Sequence, residues 1–516
     1  MPSRPILAGL LLCAASPLRA EAARFEQKVV AIMNAGGTAD AIQARLTRVG
    51  SDPSLTVDQR LAVDALRTLV RSRGRPKGLS LAEAEAFAAR NPASPASAML
   101  LAEAALSNDD PRRSADILIA SARKAGPLVQ LVSPATVSKL TDELEALADK
   151  RRTADLAKAL LYSGWSRGSA SLRSYLGLAA IRDEMSAGRV EQARAVLPTV
   201  KSPASLHEIL IDDRLAPLRN DVAATAGPRL EHAWREFLVK ARDEWLERGD
   251  ALSATAYAEA LKQANQYEGL SATFLARFMR GFNCPTDLVA RSVGDTLAES
   301  LAKIGRWSRA EDVMRRSGGI SPPIYAAMLL EKGDFGRASS LFDRSLRAAD
   351  APDTKAGERA VAWLRAARDC AMFRAGSRAS VSSYDPKLLD VSARLFVLLC
   401  RDRGADAQAA LLAALDDEEE RADALRWLQP FADQPVQGRF REDMNARIRG
   451  LQRAPAVTAS ASRYGQILEW PLTAAVPALD DLPPAKLSAA WQCGNQADWE
   501  MDVPEPETIR LPDSGR

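Results

Sequence analysis

Apolar residues recur along most of the chain at intervals of three and four, the spacing that puts one face of an amphipathic helix against a core. Leu297, Leu301 and Ile304 run up to Gly305, and Tyr325, Met328 and Leu329 run up to Gly333. The same period continues through 391–399, 407–415 and 421–431. Long β-branched runs alternating with polar residues, the mark of strands, are missing. Composition agrees: the chain is 47 % hydrophobic but only 5 % aromatic, and the abundant Ala and Leu lose little entropy in a helix. The expected fold class is all-α.

A local pattern repeats where helices end. Gly305-Arg306-Trp307-Ser308-Arg309-Ala310 and Gly333-Asp334-Phe335-Gly336-Arg337-Ala338 share Gly, an aromatic two positions on, and Ala three beyond that. Gly188 to Ala193 repeats it with Val190 in the aromatic position, and Gly249 to Ala254 is a weaker copy. The Gly suits a helix terminus that needs positive φ. The Ala lets the second helix approach the first. The residue four further on, Leu197, Ala258, Met314 or Phe342, shares its face. Weaker copies start at Gly36, Asp110 and Asp149, and the turn positions 110, 149 and 188 are spaced 39 apart.

This Gly-x-aromatic-x-x-Ala segment resembles the turn and second helix of a tetratricopeptide repeat, with Gly188, Ala193, Gly249, Ala254, Gly305, Trp307, Ala310, Gly333, Phe335 and Ala338 in the structural positions. The segment 209–238 is also similar to a connecting segment of exported bacterial tetratricopeptide proteins. The resemblance implies a right-handed superhelical solenoid of antiparallel helix pairs over 23–380. Further helices continue it over 381–455, and an irregular tail, extended or disordered, covers 456–516. From Pro471 onward that tail holds seven Pro and a net charge of −5, a poor helix former, although 467–470 is apolar enough to dock as an extended cap.

The first residues read as a signal peptide over 1–22: Arg4, a short apolar stretch through Leu10-Leu11-Leu12, and the A-x-A site Ala20-Glu21-Ala22, with cleavage after Ala22 or Ala20. A lipoprotein anchored at Cys13 is the weaker alternative, since Leu12 is not small. The mature chain is expected to be periplasmic or secreted. Cys284, Cys370, Cys400 and Cys493 would remain, and three pairings are open to them. Four separate small hydrophobes in helices is the favoured reading.

Chemistry is sparse. Charges balance at +3, too even to imply nucleic acid, and no later stretch is apolar enough to span a membrane. Gly164-Trp165-Ser166-Arg167-Gly168 matches a nucleophile elbow, but a helix rather than a strand is expected before it. Ser121 to Lys124 matches S-x-x-K without its companion motifs. His207 and His232 are the only two His, which leaves little for zinc. Asp416 to Glu420 is a five-acid run read as a solvated helix N-terminal turn. Trp234, Trp245, Trp307 and Trp363 read mainly as core. No catalytic, cofactor or metal residue is assigned. The expected function is a protein- or peptide-binding scaffold of the bacterial envelope, acting through the inner face of the solenoid. The alternatives are a structural assembly factor of an envelope or motility machine, and a cell-wall enzyme with a C-terminal catalytic region.

Overall fold

A computed structural model describes residues 17–34, 39–72, 79–248, 251–281, 288–316, 322–349, 357–377, 385–433 and 438–477. Among these the fold is all-α. The order is α1 (Pro17–Asn34), α2 (Ala39–Gly50), α3 (Val57–Ser72), α4 (Leu81–Arg90), α5 (Pro95–Ser107), α6 (Pro111–Ala125), α7 (Pro134–Ala146) and α8 (Lys150–Tyr162). There follow α9 (Ala170–Ser186), α10 (Val190–Val196), α11 (Pro203–Ile211), α12 (Arg219–Ala226), α13 (Glu231–Arg248), α14 (Ala251–Gln263), α15 (Tyr267–Gly281), α16 (Leu288–Lys303), α17 (Trp307–Arg316), α18 (Pro322–Lys332) and α19 (Phe335–Ala349). The last are α20 (Glu358–Arg374), α21 (Val391–Cys400), α22 (Gly404–Asp416), α23 (Arg421–Trp427), α24 (Arg439–Gln452) and α25 (Pro455–Ala461). Two compact units result. One is built on residues up to Leu140 with Ala159–Arg167, the other on Thr141–Lys158 with the residues from Gly168 onward.

Sequential neighbours pack as pairs: α2 on α3, α5 on α6, α9 on α10, α16 on α17, and α18 on α19. One device turns the chain at these joints. The residue at the turn has positive φ and donates its N–H three residues back, while the next N–H reaches five residues back, closing the helix end. At Gly305 (φ 76°) the bonds are Gly305 N to Ala302 O, 3.0 Å, and Arg306 N to Leu301 O, 2.8 Å. Gly188 and Gly333 repeat this. The predicted Ala positions lie behind these turns: Ala193, Ala254, Ala310 and Ala338 are fully buried. Gly249 and Gly36 lie outside the described residues. Trp307 and Phe335 are only half-buried; Lys332 stands 4.8 Å over the Trp307 ring.

The same turn appears where no glycine marks it. Asn265 (φ 55°) and Asp402 (φ 60°) take the turn conformation with the same two hydrogen bonds. Asp402 is followed five residues on by fully buried Ala407, so a copy of the pattern stands in the region expected to lack one. The weaker copies at Asp110 and Asp149 are one residue out of register: Asp109 and Ala148 carry the positive φ. Asp110 instead caps α6, accepting from Arg113 N at 3.0 Å.

In the first unit Gly164 turns the chain after α8, and Trp165 is buried with its Nε1 donating to Val132 O at 3.1 Å. Ser166 is exposed beside Gln130. The G-x-S-x-G match is thus an interhelix turn, without the strand an elbow needs.

Two sequence expectations are corrected. Cys370 and Cys400 are not separate: they form a disulfide between α20 and α21, with Cα atoms 5.8 Å apart. Cys284, Cys493 and Cys13 lie outside the described residues. The region from 456 is not extended from its start: Pro455 opens helix α25, where its missing N–H is harmless. After it the chain turns at 462–464, runs on through a single bridge at Gly465, and turns again at 472–475. The residues from 478 onward lie outside the described residues.

Candidate functional site

The second unit is closed on itself around α11. This helix is apolar on every side: Pro203, Leu206, Ile209, Leu210 and Ile211 are all buried, as are His207 and Glu208. Such a helix has to be surrounded, and α9, α12, α13 and α23 surround it. It ends at Asp212, whose carboxylate receives the Arg214 guanidinium as a fork, Nε to Oδ1 at 3.1 Å and Nη2 to Oδ2 at 2.7 Å.

Beyond Asp212 the backbone is met by the C-terminal segment. Asp212 and Gly465 form an antiparallel bridge. Asp213 N donates to Tyr464 O at 3.0 Å, and Gln466 N to Ile211 O at 2.9 Å. Gly465 is required here, because a Cβ would lie 2.1 Å from Ile211 O. Gln429 of the turn after α23 holds the two peptide groups on either side of Ile467. Its Nε2 donates to Gln466 O at 3.1 Å, and its Oε1 accepts from Leu468 N at 3.0 Å. Trp470 meets His207 edge-on at 6.0 Å, and Trp234 Nε1 donates to Leu472 O at 2.8 Å.

The acidic run Asp416 to Glu420 belongs to the same closure. It is also the solvated turn expected of it: Asp416 to Glu419 are exposed and Glu420 stands at the N-cap of α23. Asp416 ends α22 and accepts from Tyr464 Oη at 2.7 Å. Asp417 Oδ1 folds the turn by accepting from Glu419 N at 2.7 Å. Glu418 O accepts from Arg214 Nη1 at 3.1 Å, and Glu420 pairs with Arg394.

A charged cluster adjoins this seam. Glu208 is 7 % exposed and is held by Arg182 and by Arg426, whose Nη1 donates to Oε1 at 2.9 Å. The two arginines keep 37 % and 54 % of their side chains accessible. Glu208 raises the Arg426 pKa further, ahead of the opposing effect of burial. Tyr175 of α9 opens to the same side. Burial, then the carboxylates of Glu145 and Asp142, push its phenol up to about 12, although 36 % of the residue is exposed. Asp142 is itself raised by burial and then by Glu145 and Glu143. The cluster thus sets two guanidinium groups and a neutral phenol among the carboxylates of Glu208, Asp423, Glu145 and Asp142, a set of groups that suits a polar, hydrogen-bonding ligand.

His207 is 3 % exposed, and its Nε2 has no hydrogen-bond partner. Burial pulls its pKa down to about 4, opposed by Glu208 and aided by Arg426. The folded protein thus holds a neutral imidazole, whereas the unfolded chain takes up a proton near 6.5. Stability from this group is full above about pH 6.5 and is lost as pH falls toward 4, by roughly 2–4 kcal/mol. Between pH 7 and pH 4 the urea midpoint of the wild type should fall further than that of His207→Phe by this margin. Equal falls would exclude the effect. His232, by contrast, is exposed on α13.

Sequence reasoning placed the turn positions but brought none of this cluster together. Arg182, Glu208, Arg426 and Gln429 come from three separate elements and carry no local motif. Helix α18 packs on α24 as well as on α16. Glu331 pairs with Lys303 of α16 and, at 3.7 Å, with Arg441 of α24, and Phe335 meets Phe440 edge-on at 5.3 Å. Among the described residues no group of His, Cys, Asp or Glu is arranged to hold a metal ion, and no helix is long and apolar enough to cross a membrane. No family model, curated protein or solved structure matches the chain.

Proposed function

We propose that the protein is a tetratricopeptide-like scaffold of the bacterial envelope that binds a protein or peptide partner and carries out no reaction of its own. The observation that carries this reading is the charged cluster of the second unit, where Arg182 and Arg426 hold Glu208 while remaining accessible. Paired guanidinium groups recognise carboxylates in a fixed geometry, and Tyr175 adds an aromatic surface of the kind that anchors interfaces. Stacked helix pairs are suited to presenting such residues along an extended surface. Export is supported by the signal-like residues 1–22 and by the buried disulfide, which belongs in an oxidising compartment.

The test is crosslinking and affinity purification of the tagged protein from the envelope fraction of its native cell, alongside an Arg182→Glu/Arg426→Glu variant. The wild type is expected to capture a stoichiometric protein partner, and the variant to lose it by about tenfold or more, equivalent to ~1.4 kcal/mol. The helical melting curve of the variant has to remain cooperative for this comparison to count. Recovery of the wild type alone, or equal capture by both, overturns the proposal.

A further inference from the structure

The C-terminal segment is held in an unusual way for a structural cap. Its contacts from Tyr464 to Leu472 engage a run of backbone atoms, Tyr464 O, Gln466 N, Gln466 O, Leu468 N and Leu472 O, beside the side chains of Tyr464, bonded to Asp416, and Gln466, bonded to Leu210 O. The Gln429 side chain, 5 % exposed, reads the two peptide groups that flank Ile467, and the Trp234 indole reads another carbonyl. These groups bind a chain that has glycine at the bridge position, where a Cβ would strike Ile211 O, much as a sheet edge accepts an added strand. Meanwhile the side-chain fit is incomplete. His207 is buried against Trp470 with its Nε2 unpartnered, and a buried polar atom in that state costs free energy.

We propose that this groove, formed by Ile211 to Asp213, Trp234 and Gln429, is a site for an extended peptide. In the free chain the segment 464–473 occupies it as an internal ligand, and an extended segment of the partner protein displaces it. The partner segment carries an acidic side chain where Trp470 now lies. There it would accept a hydrogen bond from His207 and face Arg426, whose charge bears on that imidazole. The inference deepens the scaffold reading and rests on it for the identity of the occupant, but the groove itself can be tested without knowing the partner.

The probe is a fluorophore-labelled synthetic peptide of residues 463–477, followed by anisotropy against the full-length chain. In the wild type the tethered segment competes at an effective concentration on the order of millimolar. Gly465→Ala drives a Cβ into Ile211 O and should release the segment; Trp470→Ala is the second variant, milder in its effect on the fold. Both should bind the peptide about 100-fold more tightly than the wild type does, and adding Gln429→Ala should abolish that binding. Introducing Glu at the Trp470 position of the peptide should tighten binding to either variant, and His207→Phe should remove the gain. No binding to either variant, or equal binding to variant and wild type, overturns the proposal. A peptide-free dimer of the variants on size exclusion also overturns it, in favour of segment exchange between two copies. Failure to recover a cellular partner, with the peptide results intact, would count against the scaffold reading and not against the groove.

Discussion

Replacing Trp234 by Ala is expected to remove roughly 3–5 kcal/mol from the stability of the second unit and to free its C-terminal segment in the same step. The residue is fully buried, with its ring edge-on to Phe237 at 6.2 Å. Truncation therefore leaves a large cavity that the surrounding helices can only partly fill. The indole is also the donor that Leu472 O accepts from at 2.8 Å. Trp234→Phe separates the two contributions. It keeps most of the buried apolar surface and loses the hydrogen bond, at about 1 kcal/mol because Leu472 is half-buried. Urea unfolding measures the stability, and the rate of limited proteolysis near 464–473 measures segment release. Cleavage of Trp234→Ala no faster than the wild type would mean that this contact does not hold the segment.

The second large effect belongs to the disulfide. Cys370 and Cys400 are fully buried and 30 residues apart in sequence. Beside them Ala362, Ala366, Leu389, Ala393 and Val397 form a cluster with Trp363, Leu388 and Phe396 against it. In the chain-entropy account, closing a loop of this length stabilises by roughly 3–4 kcal/mol. The Cys370→Ala/Cys400→Ala variant should unfold at correspondingly lower urea, and reductant should shift the wild type toward it while leaving the variant unmoved. A wild-type midpoint insensitive to reductant, together with reactive thiols at both positions in the denatured, unreduced protein, would show that the bond is not formed.

The two predictions draw on different kinds of information. Trp234 could be read as core from its helical surroundings, because burial of a large aromatic on an apolar face is a local pattern. Its hydrogen bond could not, since the acceptor lies 238 residues away. The cysteines offered three pairings and no means of choosing, because their distance in space depends on how α20 packs on α21. The turn copies at Asn265 and Asp402 were passed over for another reason. The joint requires a positive φ and two closing hydrogen bonds, which Gly meets most easily and Asn or Asp can also meet, so a pattern anchored on Gly misses them. The Ala five residues beyond Asp402 was the remaining signal.

The sequence by itself determined the helices and their pairing. Both follow from interactions within a few residues: Ala- and Leu-rich segments with a period near 3.6, punctuated by residues that tolerate the turn. Only the tertiary structure decided how the second unit closes. That depends on contacts between residues more than 200 positions apart, such as Arg426 with Glu208, Arg214 with Glu418 and Gln466 with Ile211. Ion pairs and backbone hydrogen bonds of this kind can be made by any Arg, Gln or exposed peptide unit. Their residue types therefore carry almost no information about partners, and it is the packing of α11 among its neighbours that selects them.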